Sequence, residues 1–185
     1  RCKAPKSSTG PQAHLPPALL YTPARNRCSG VFPMSELLAA WQIADGVRAR
    51  RFSAREVLDA ALARIEHKNP ALNAFIAVYP EAAREQAAAI DAAIARGQDP
   101  GPLAGVPMGI KDLEPVNGML FTEGSRAYEG RIADRDGVAV SRLKAAGAVL
   151  VGKTNTPEFG YKGFTENQLW GPTRNPWDPT KTPGG

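Results

Sequence analysis

The stretch Gly105-Val-Pro-Met-Gly-Ile-Lys-Asp112 carries one lysine to the end of a short apolar segment. Its apolar residues alternate as a β-strand requires, so Lys111 points to the same face as Pro107 and Gly109, which leave little bulk beside the amine. Successive strand residues face opposite ways, so the carboxylate of Asp112 need not pair with that amine and hold it protonated. A strand-end lysine more often simply reaches solvent, but one left unpaired at the buried end of a strand is a candidate base.

Composition places this stretch in a globular protein. The chain has 185 residues, of which 43% are hydrophobic and 22% charged, which suits one domain with a core of its own. The net charge is +5, but the 23 basic residues are interleaved with 18 acidic ones. Because no basic stripe with interleaved aromatic residues appears, we expect no nucleic-acid binding. The two cysteines, Cys2 and Cys28, form neither a disulfide framework nor a spaced metal site.

The first 33 residues differ from the rest. They contain six prolines and show no periodicity, so we interpret residues 1–33 as an unstructured lead that need not be native, and residues 34–185 as the folded part. One hypothesis is that the native protein starts at Met34. The only apolar run near the start is too short and too rich in proline for a signal segment or a membrane span, so we expect a cytoplasmic protein that does not enter the membrane.

Helical periodicity and strand patterns alternate from residue 35 onwards. Ser53 and Glu56 form the capping box of one helix, which Asn69-Pro70 should stop. The helices before and after this one should end at Gly46 and Gly97, because a glycine follows the last apolar residue of each. The elements predicted before the Lys111 strand are helices from Ser35 to about Asp45, from Ser53 to Asn69 and from Glu81 to Arg96, and a strand from Ala74 to Tyr79.

A strand, helix, strand unit follows. Asp136 is a plausible N-cap for a helix that Gly147 ends, and residues 148–151 are a continuous apolar run typical of a buried strand. This order predicts a parallel strand pair, whose carboxyl ends carry Lys111 and the segment 152–155 to one edge of the sheet. The chain from residue 156 to its end is rich in proline and predicted to be irregular.

The segment Gly147-Ala-Val-Leu-Val-Gly-Lys-Thr154 literally matches the phosphate-binding pattern G-x-x-x-x-G-K-[ST]. A phosphate-binding loop lies between a strand and a following helix, so that the helix N-terminus faces the phosphate. Here the four intervening residues are themselves the predicted strand, and Pro157 discourages a helix after it. We therefore do not expect nucleotide binding.

Other catalytic arrangements are poorly supported. The only histidines are His14, in the lead, and His67, at the polar end of a helix, so a hydrolase built from this chain would need another base, and lysine is the available type. Asp134 and Asp136 lack further spaced ligands and suit a helix start better than a metal site. We expect no cofactor and no metal.

Five ordered blocks together resemble a known family. They are Leu103 to Asp112, Thr122-Glu-Gly-Ser125, Ala145 to Asn155, Pro157-Glu-Phe-Gly160 and Gly171-Pro-Thr-Arg-Asn-Pro-Trp-Asp178. In order and spacing they are similar to the amidase signature family, from about residue 34 to the last residue. The resemblance implies an α/β fold with a mixed β-sheet flanked by helices, incomplete in this chain, and hydrolysis of a carboxamide C–N bond by a Ser, cis-Ser, Lys triad.

The resemblance assigns one catalytic residue here, Lys111, which lies in the family's lysine block. In the family, the block matched by Thr182-Pro-Gly-Gly185 continues into a Ser-Ser-Gly-Gly loop that holds the bridging cis-serine, and the nucleophilic serine lies beyond it. Ser125 matches a family position that is not the nucleophile. We therefore expect the N-terminal part of an amidase, inactive by itself.

Three functions stay open at this point. The first is a stand-alone amidase acting on a small-molecule amide. The sequence identifies no substrate-binding residue for it, and a homodimer of the full-length protein stays open. The second is the amidase subunit of a glutamyl-tRNA amidotransferase, which would add protein and tRNA partners. Those subunits commonly carry Met-Asp-Glu-Phe where this chain has Thr156-Pro-Glu-Phe159, which favours the first. The third is a non-catalytic remnant.

Overall fold

The computed structural model describes residues 38–185. The predicted lead and the start at Met34 lie outside the described residues, and the first helix, predicted from Ser35, begins only at Ala40, with Ala39 as its N-cap. The elements in chain order are α1 (Ala40–Arg48), α2 (Ala54–Leu72), β1 (Phe75–Val78), α3 (Pro80–Ala95), β2 (Pro107–Lys111), α4 (Val138–Ala145) and β3 (Val149–Thr154), with short 3-10 turns at Arg126–Tyr128 and Glu158–Gly160.

The three strands form one sheet in the order β1, β3, β2. β2 and β3 run parallel and are connected through α4, as predicted, whereas β1 pairs antiparallel with β3. The fold is therefore α/β with a mixed sheet flanked by helices. β3 lies in the centre, which explains why its sequence is a continuous apolar run.

Apolar side chains cover both faces of β3. On one face, α1, α2 and α3 pack in a cluster that includes Val149 and Val151. On the other face, Leu150 and Ile110 pack with α4 and the loop that follows β2. Because both faces are buried, a polar side chain on β3 points into an apolar layer on either side of the sheet. Burying it there costs free energy unless it has a hydrogen-bond or charge partner on that side.

The start of α2 is fixed twice. The predicted capping box is present, since Ser53 Oγ accepts from Glu56 N at 3.1 Å and Glu56 Oε2 accepts from Ser53 N at 2.8 Å. In addition, the Asp91 carboxylate of α3 accepts from Ala54 N at 2.7 Å and from Arg55 N at 3.2 Å. A carboxylate at a helix N-terminus is favoured by the helix dipole, so this contact also docks α3 onto α2.

Three other helix boundaries also differ from the prediction. α1 continues past Gly46 to Arg48, because Gly46 is a packing glycine: a Cβ there would lie 2.0 Å from the Phe52 ring. α4 has Gly137 as its N-cap, not Asp136, whose carboxylate instead accepts from Asn117 N and Lys144 Nζ, each at 2.8 Å.

The third difference is at the end of α2, which runs through Pro70 to Leu72. It ends because Asn73 adopts a left-handed conformation with φ 51°. The Asn69 side chain then stabilises the exit, since its Oδ1 accepts from Phe75 N at 2.7 Å and its Nδ2 donates to Phe75 O at 2.9 Å. A proline in the last turn is tolerated because few intrahelical bonds remain to be lost there.

The ladder between β2 and β3 contains a register shift. Met108 pairs with Leu150, but the next residue of β2, Gly109, pairs with Gly152, so β3 carries one extra residue. With strict alternation, Lys153 would lie on the face of Val149 and Val151. The extra residue moves it to the opposite face, beside its partner Ile110.

We expect Gly152→Ala to destabilise the chain by about 2 to 3 kcal/mol, because a Cβ at this position would lie 2.3 Å from the carbonyl oxygen of Ala77 in β1. The control is Gly163→Ala, where an added Cβ meets no atom within 4 Å and where we expect a change within about 0.5 kcal/mol. Urea denaturation of both variants measures the difference. Equal unfolding midpoints would show that β1 and β3 are not this close.

Candidate active site

Lys111 is the last residue of β2 and pairs with Thr154, the last residue of β3, so the predicted meeting of the two carboxyl ends is confirmed. The residue is partly buried. Two backbone hydrogen bonds, each 3.0 Å long, fix the chain at Lys111: Asp112 N donates to Thr154 O of β3, and Glu114 N donates to Lys111 O. Within residues 38–185, the Lys111 amine forms no hydrogen bond and no ion pair.

The face that Lys111 shares with Gly109 and Thr154 is short of side-chain bulk. A Cβ on Gly109 would lie 2.8 Å from Thr154 Cγ2 and 2.9 Å from the Phe75 ring, so only glycine fits there. An open groove of about 310 Å³ lies against the same strands, and its lining includes Ile65, Leu72, Phe75, Pro107 and Gly109. On this face β2 itself places only small residues beside Lys111, as the sequence predicted, while the Thr154 methyl group and the Phe75 ring fill the space over Gly109.

The Asp112 carboxylate occupies the opposite face and is fully buried. It accepts from Thr122 Oγ1 at 2.5 Å and from Thr122 N at 3.2 Å. Its cationic partner is Lys153, whose Nζ lies 3.7 Å from Oδ1. The carboxylate next to Lys111 in the sequence is therefore paired elsewhere.

Lys153 is a charged residue in the middle of the fold. Its side chain is completely buried, its Nζ donates to the carbonyl oxygen of Glu114, and it lies 5.8 Å from the centre of the Phe121 ring. Burial lowers the pKa of Lys153 below its ordinary value, while the negative charge of Asp112 opposes that shift. The pair is thus a buried ion pair, each of whose members has a further hydrogen-bond partner.

The pair of Lys153 and Asp112 was not predicted from the sequence. The signal available was a lysine two residues beyond a buried apolar run, inside a pattern rejected as a phosphate-binding loop. That rejection is consistent with the fold, because residues 149–154 form β3, α4 precedes it, and no regular α-helix follows it in the described chain. The lysine is consequently part of a strand and not of a glycine loop.

The loops that follow β2 and β3 are joined at Thr122. Trp170 Nε1 donates to Thr122 Oγ1 at 3.3 Å. Phe159 N donates to Glu123 O at 2.8 Å, and its ring meets that of Tyr128 edge to face, with centroids 5.9 Å apart. The irregular chain after β3 is therefore packed against the loop that begins at Lys111.

Buried amides attach the rest of the irregular chain to the end of β3. Asn155 Nδ2 donates to Thr173 Oγ1 and to Gly171 O, each at 3.0 Å, and Asn155 Oδ1 accepts from Asn167 Nδ2 at 2.8 Å. Thr173 Oγ1 in turn donates to Asn73 O at 2.6 Å. Side-chain hydrogen bonds here replace the regular backbone ladder that this segment lacks.

The last residues of the chain return towards the segment that follows Lys111. A Cβ on Gly160 would lie 2.7 Å from Leu113 Cδ1, and one on Gly185 would lie 3.1 Å from the Gly163 backbone. Thr165 Oγ1 donates to Gly184 O at 2.8 Å. The chain end and the residues after β2 thus contact the same loop, residues 160–165.

Ser125 has a local structural role. It is 2% exposed, and its Oγ accepts from Ala127 N at 3.3 Å, which caps the short 3-10 turn at Arg126–Tyr128. Within residues 38–185, no group of three or more His, Cys, Asp or Glu side chains is arranged to hold a metal ion. None of the helices described is long and apolar enough to cross a membrane.

Comparison with known proteins agrees with this architecture. The sequence model of the family described as Amidase matches residues 56–185. One subunit of the glutamyl-tRNA(Gln) amidotransferase of Acidothermus cellulolyticus is 45% identical over 154 residues, which cover 82% of this chain and 30% of that protein. The corresponding subunit from Nocardia farcinica is 45% identical over 155 residues, covering 82% and 32%. The chain thus spans about a third of the length of these relatives.

Solved structures show the same likeness. 6-Aminohexanoate cyclic dimer hydrolase superposes with a TM-score of 0.72 at 38% identity, covering 80% of this chain and 30% of that one. A bacterial aryl acylamidase of the amidase signature family gives a TM-score of 0.75 at 34% identity, covering 80% and 31%.

We expect Thr122→Val to lower the free energy of unfolding by about 2 kcal/mol, because it leaves the buried Asp112 carboxylate without a hydroxyl donor. The matched control is Thr180→Val. Thr180 Oγ1 also donates to an aspartate, Asp178, at 2.6 Å, but at an exposed position, where we expect a change within about 0.5 kcal/mol. Denaturation of both variants gives the comparison, and similar losses would refute the importance of burial.

Proposed function

Because this chain belongs to the amidase family, we propose that it is the N-terminal part of a carboxamide hydrolase in which Lys111 is the catalytic base. The observation that carries the proposal is that Lys111, a partly buried residue at the carboxyl end of β2, has an amine with no hydrogen-bond or ion-pair partner within residues 38–185. A base must be free to accept a proton, and an amine already held by a carboxylate is not.

In the proposed reaction, the neutral Lys111 amine accepts a proton from the bridging cis-serine, which takes one from the nucleophilic serine. The serine oxygen then attacks the amide carbon, and the C–N bond breaks as the leaving amine takes up the proton. Water next hydrolyses the acyl-enzyme and releases the acid. The family's serines follow the block matched by Thr182 to Gly185, so this chain contributes the base.

The position of Asp112 supports this role. Its carboxylate is the nearest in sequence to Lys111, and it is paired with Lys153 and Thr122 on the other face of the sheet. A lysine next to an unpaired carboxylate would be held as ammonium, whereas Pro107 and Gly109, the β2 residues on the Lys111 face, carry no charge. The fold thus separates the amine from the carboxylate next to it in the sequence.

We expect the 185-residue chain by itself to hydrolyse no amide, because no serine within residues 38–185 contacts the Lys111 amine, so none there can act as a nucleophile that Lys111 activates. Assays with an aryl amide and an aliphatic amide, read by release of the amine, test this. Turnover that is abolished by Lys111→Ala would contradict the expectation and show that a nucleophile is present within the chain.

In a protein that continues through the family's two serines, we expect Lys111→Ala to reduce turnover by about a thousandfold or more, the scale of losing an essential proton acceptor. Lys111→Arg should not restore it, because a guanidinium stays protonated. Arg96→Ala, at an exposed position just after α3, is the control and should keep full turnover. Near-native turnover of Lys111→Arg, or full turnover of Lys111→Ala, would exclude the base role, and absence of turnover in the unaltered protein would favour a non-catalytic remnant.

A second candidate, the amidase subunit of a glutamyl-tRNA amidotransferase, is favoured by one observation, the 45% identity to several such subunits. Against it stands Thr156-Pro157 in place of Met-Asp, in a buried segment where Thr156 Oγ1 donates to Pro157 O at 3.0 Å. The two candidates differ in substrate. Glutamine-dependent ammonia release that rises with partner subunits and glutamyl-tRNA would establish the second, and hydrolysis of small amides without partners the first.

A further inference from the structure

We propose that Lys153 is a positioning residue for Lys111: its buried ammonium holds the Asp112 carboxylate on the far face of the sheet, away from the Lys111 amine. The inference rests on the proposed role of Lys111 as a base and names a residue that determines whether that base is available.

Two features of the geometry support this role. The first is the face of the sheet on which the Lys153 side chain lies. Lys153 pairs with Ile110 across the ladder and lies 3.7 Å from Asp112, while Lys111 pairs with Thr154 on the opposite face. The extra residue of β3 produces this separation. Without it, Lys153 would lie on the face of Lys111 and Asp112 would face no cation from β3.

The second feature is the turn that follows β2. Lys111 O accepts from Glu114 N at 3.0 Å, which closes a turn over residues 111–114, and Lys153 Nζ donates to Glu114 O at the end of that turn. The Lys153 ammonium therefore contacts Asp112, which follows Lys111, and Glu114, the last residue of the turn. These contacts limit how far the Lys111 backbone can rotate towards the Asp112 side.

Charge is the property that matters in this arrangement. A completely buried lysine is costly to desolvate, and an apolar residue of similar volume would often stabilise a core at least as well. Removing only one partner is different, because it leaves a buried carboxylate without a cation. Lys111 is the amine next to that carboxylate in the sequence, and we expect the uncompensated charge to act on it and stabilise its protonated form.

The test measures the reactivity of the Lys111 amine directly and needs no catalytic serine. The folded 185-residue chain is acetylated with trace acetic anhydride at pH 8, and the rate at Lys111 is divided by that at exposed Lys68. In Lys153→Met we expect this ratio to fall about tenfold, the effect of one nearby opposite charge. In the double variant Lys153→Met, Asp112→Asn it should return to within about twofold of wild type.

Lys144→Met is the matched control. It breaks another lysine–aspartate pair, 2.8 Å long, which joins Lys144 of α4 to Asp136. The Lys111 ratio should not change. An unchanged ratio in folded Lys153→Met would overturn the proposal, and so would an equal fall in the double variant, since a purely structural role does not depend on the charge of Asp112.

If Lys153→Met does not unfold cooperatively, Asp112→Asn alone decides the matter. The proposal expects a Lys111 ratio within about twofold of wild type, because Lys153 already keeps Asp112 away from the amine. A rise of about tenfold would overturn it, since it would mean that Asp112 acts on Lys111 in the native chain. Loss of the base role itself is detected separately, as turnover that survives Lys111→Ala.

Discussion

The buried ion pair between Lys153 and Asp112 is the interaction on which the arrangement around Lys111 depends. Both side chains are completely buried, and the 3.7 Å between Nζ and Oδ1 is complemented by the Glu114 carbonyl and the Thr122 hydroxyl. Such a pair contributes little net stability, because desolvation offsets most of the attraction. The pair instead fixes the conformation at the end of β2, because the two buried charges are paired and hydrogen-bonded only in this arrangement.

Hydrogen bonds near the same ion pair also hold the irregular parts of the chain in place. Thr122, which donates to Asp112, accepts from Trp170 in the chain after β3, and Asn155 at the end of β3 holds Thr173 and Asn167. A long segment without regular structure is thereby fixed through buried side-chain hydrogen bonds. The result is a polar layer at the carboxyl edge of the sheet, which is where α/β proteins gather their ligands.

An amine and a carboxylate that are neighbours in sequence have different partners when the sheet separates them. The alternation of β2 sends Lys111 to a face with glycine and threonine beside it and sends Asp112 to the face of Lys153. An amine without a carboxylate partner suits proton transfer, and a carboxylate with two partners suits a structural role. The same two residue types on one face would have formed an ordinary ion pair with no catalytic use.

Much of this fold follows from local sequence patterns. The capping box of Ser53 and Glu56, the apolar spacing of α2 and α3, and the parallel pairing of β2 and β3 through α4 were all predicted, because each depends on residues close together in the chain. The ordered blocks around Lys111 identified the family and the candidate base. These features need no knowledge of what packs against them.

Only the tertiary structure decided the antiparallel position of β1, the continuation of α1 through Gly46, and the face on which Lys153 lies. Gly46 ends no helix because Phe52 fills the space where a side chain would be. Lys153 faces Asp112 because β3 accommodates one extra residue opposite β2. Strand register is set by pairing between distant segments, and a shift of one residue reverses the face of every side chain beyond it, so a pattern within one strand cannot specify it.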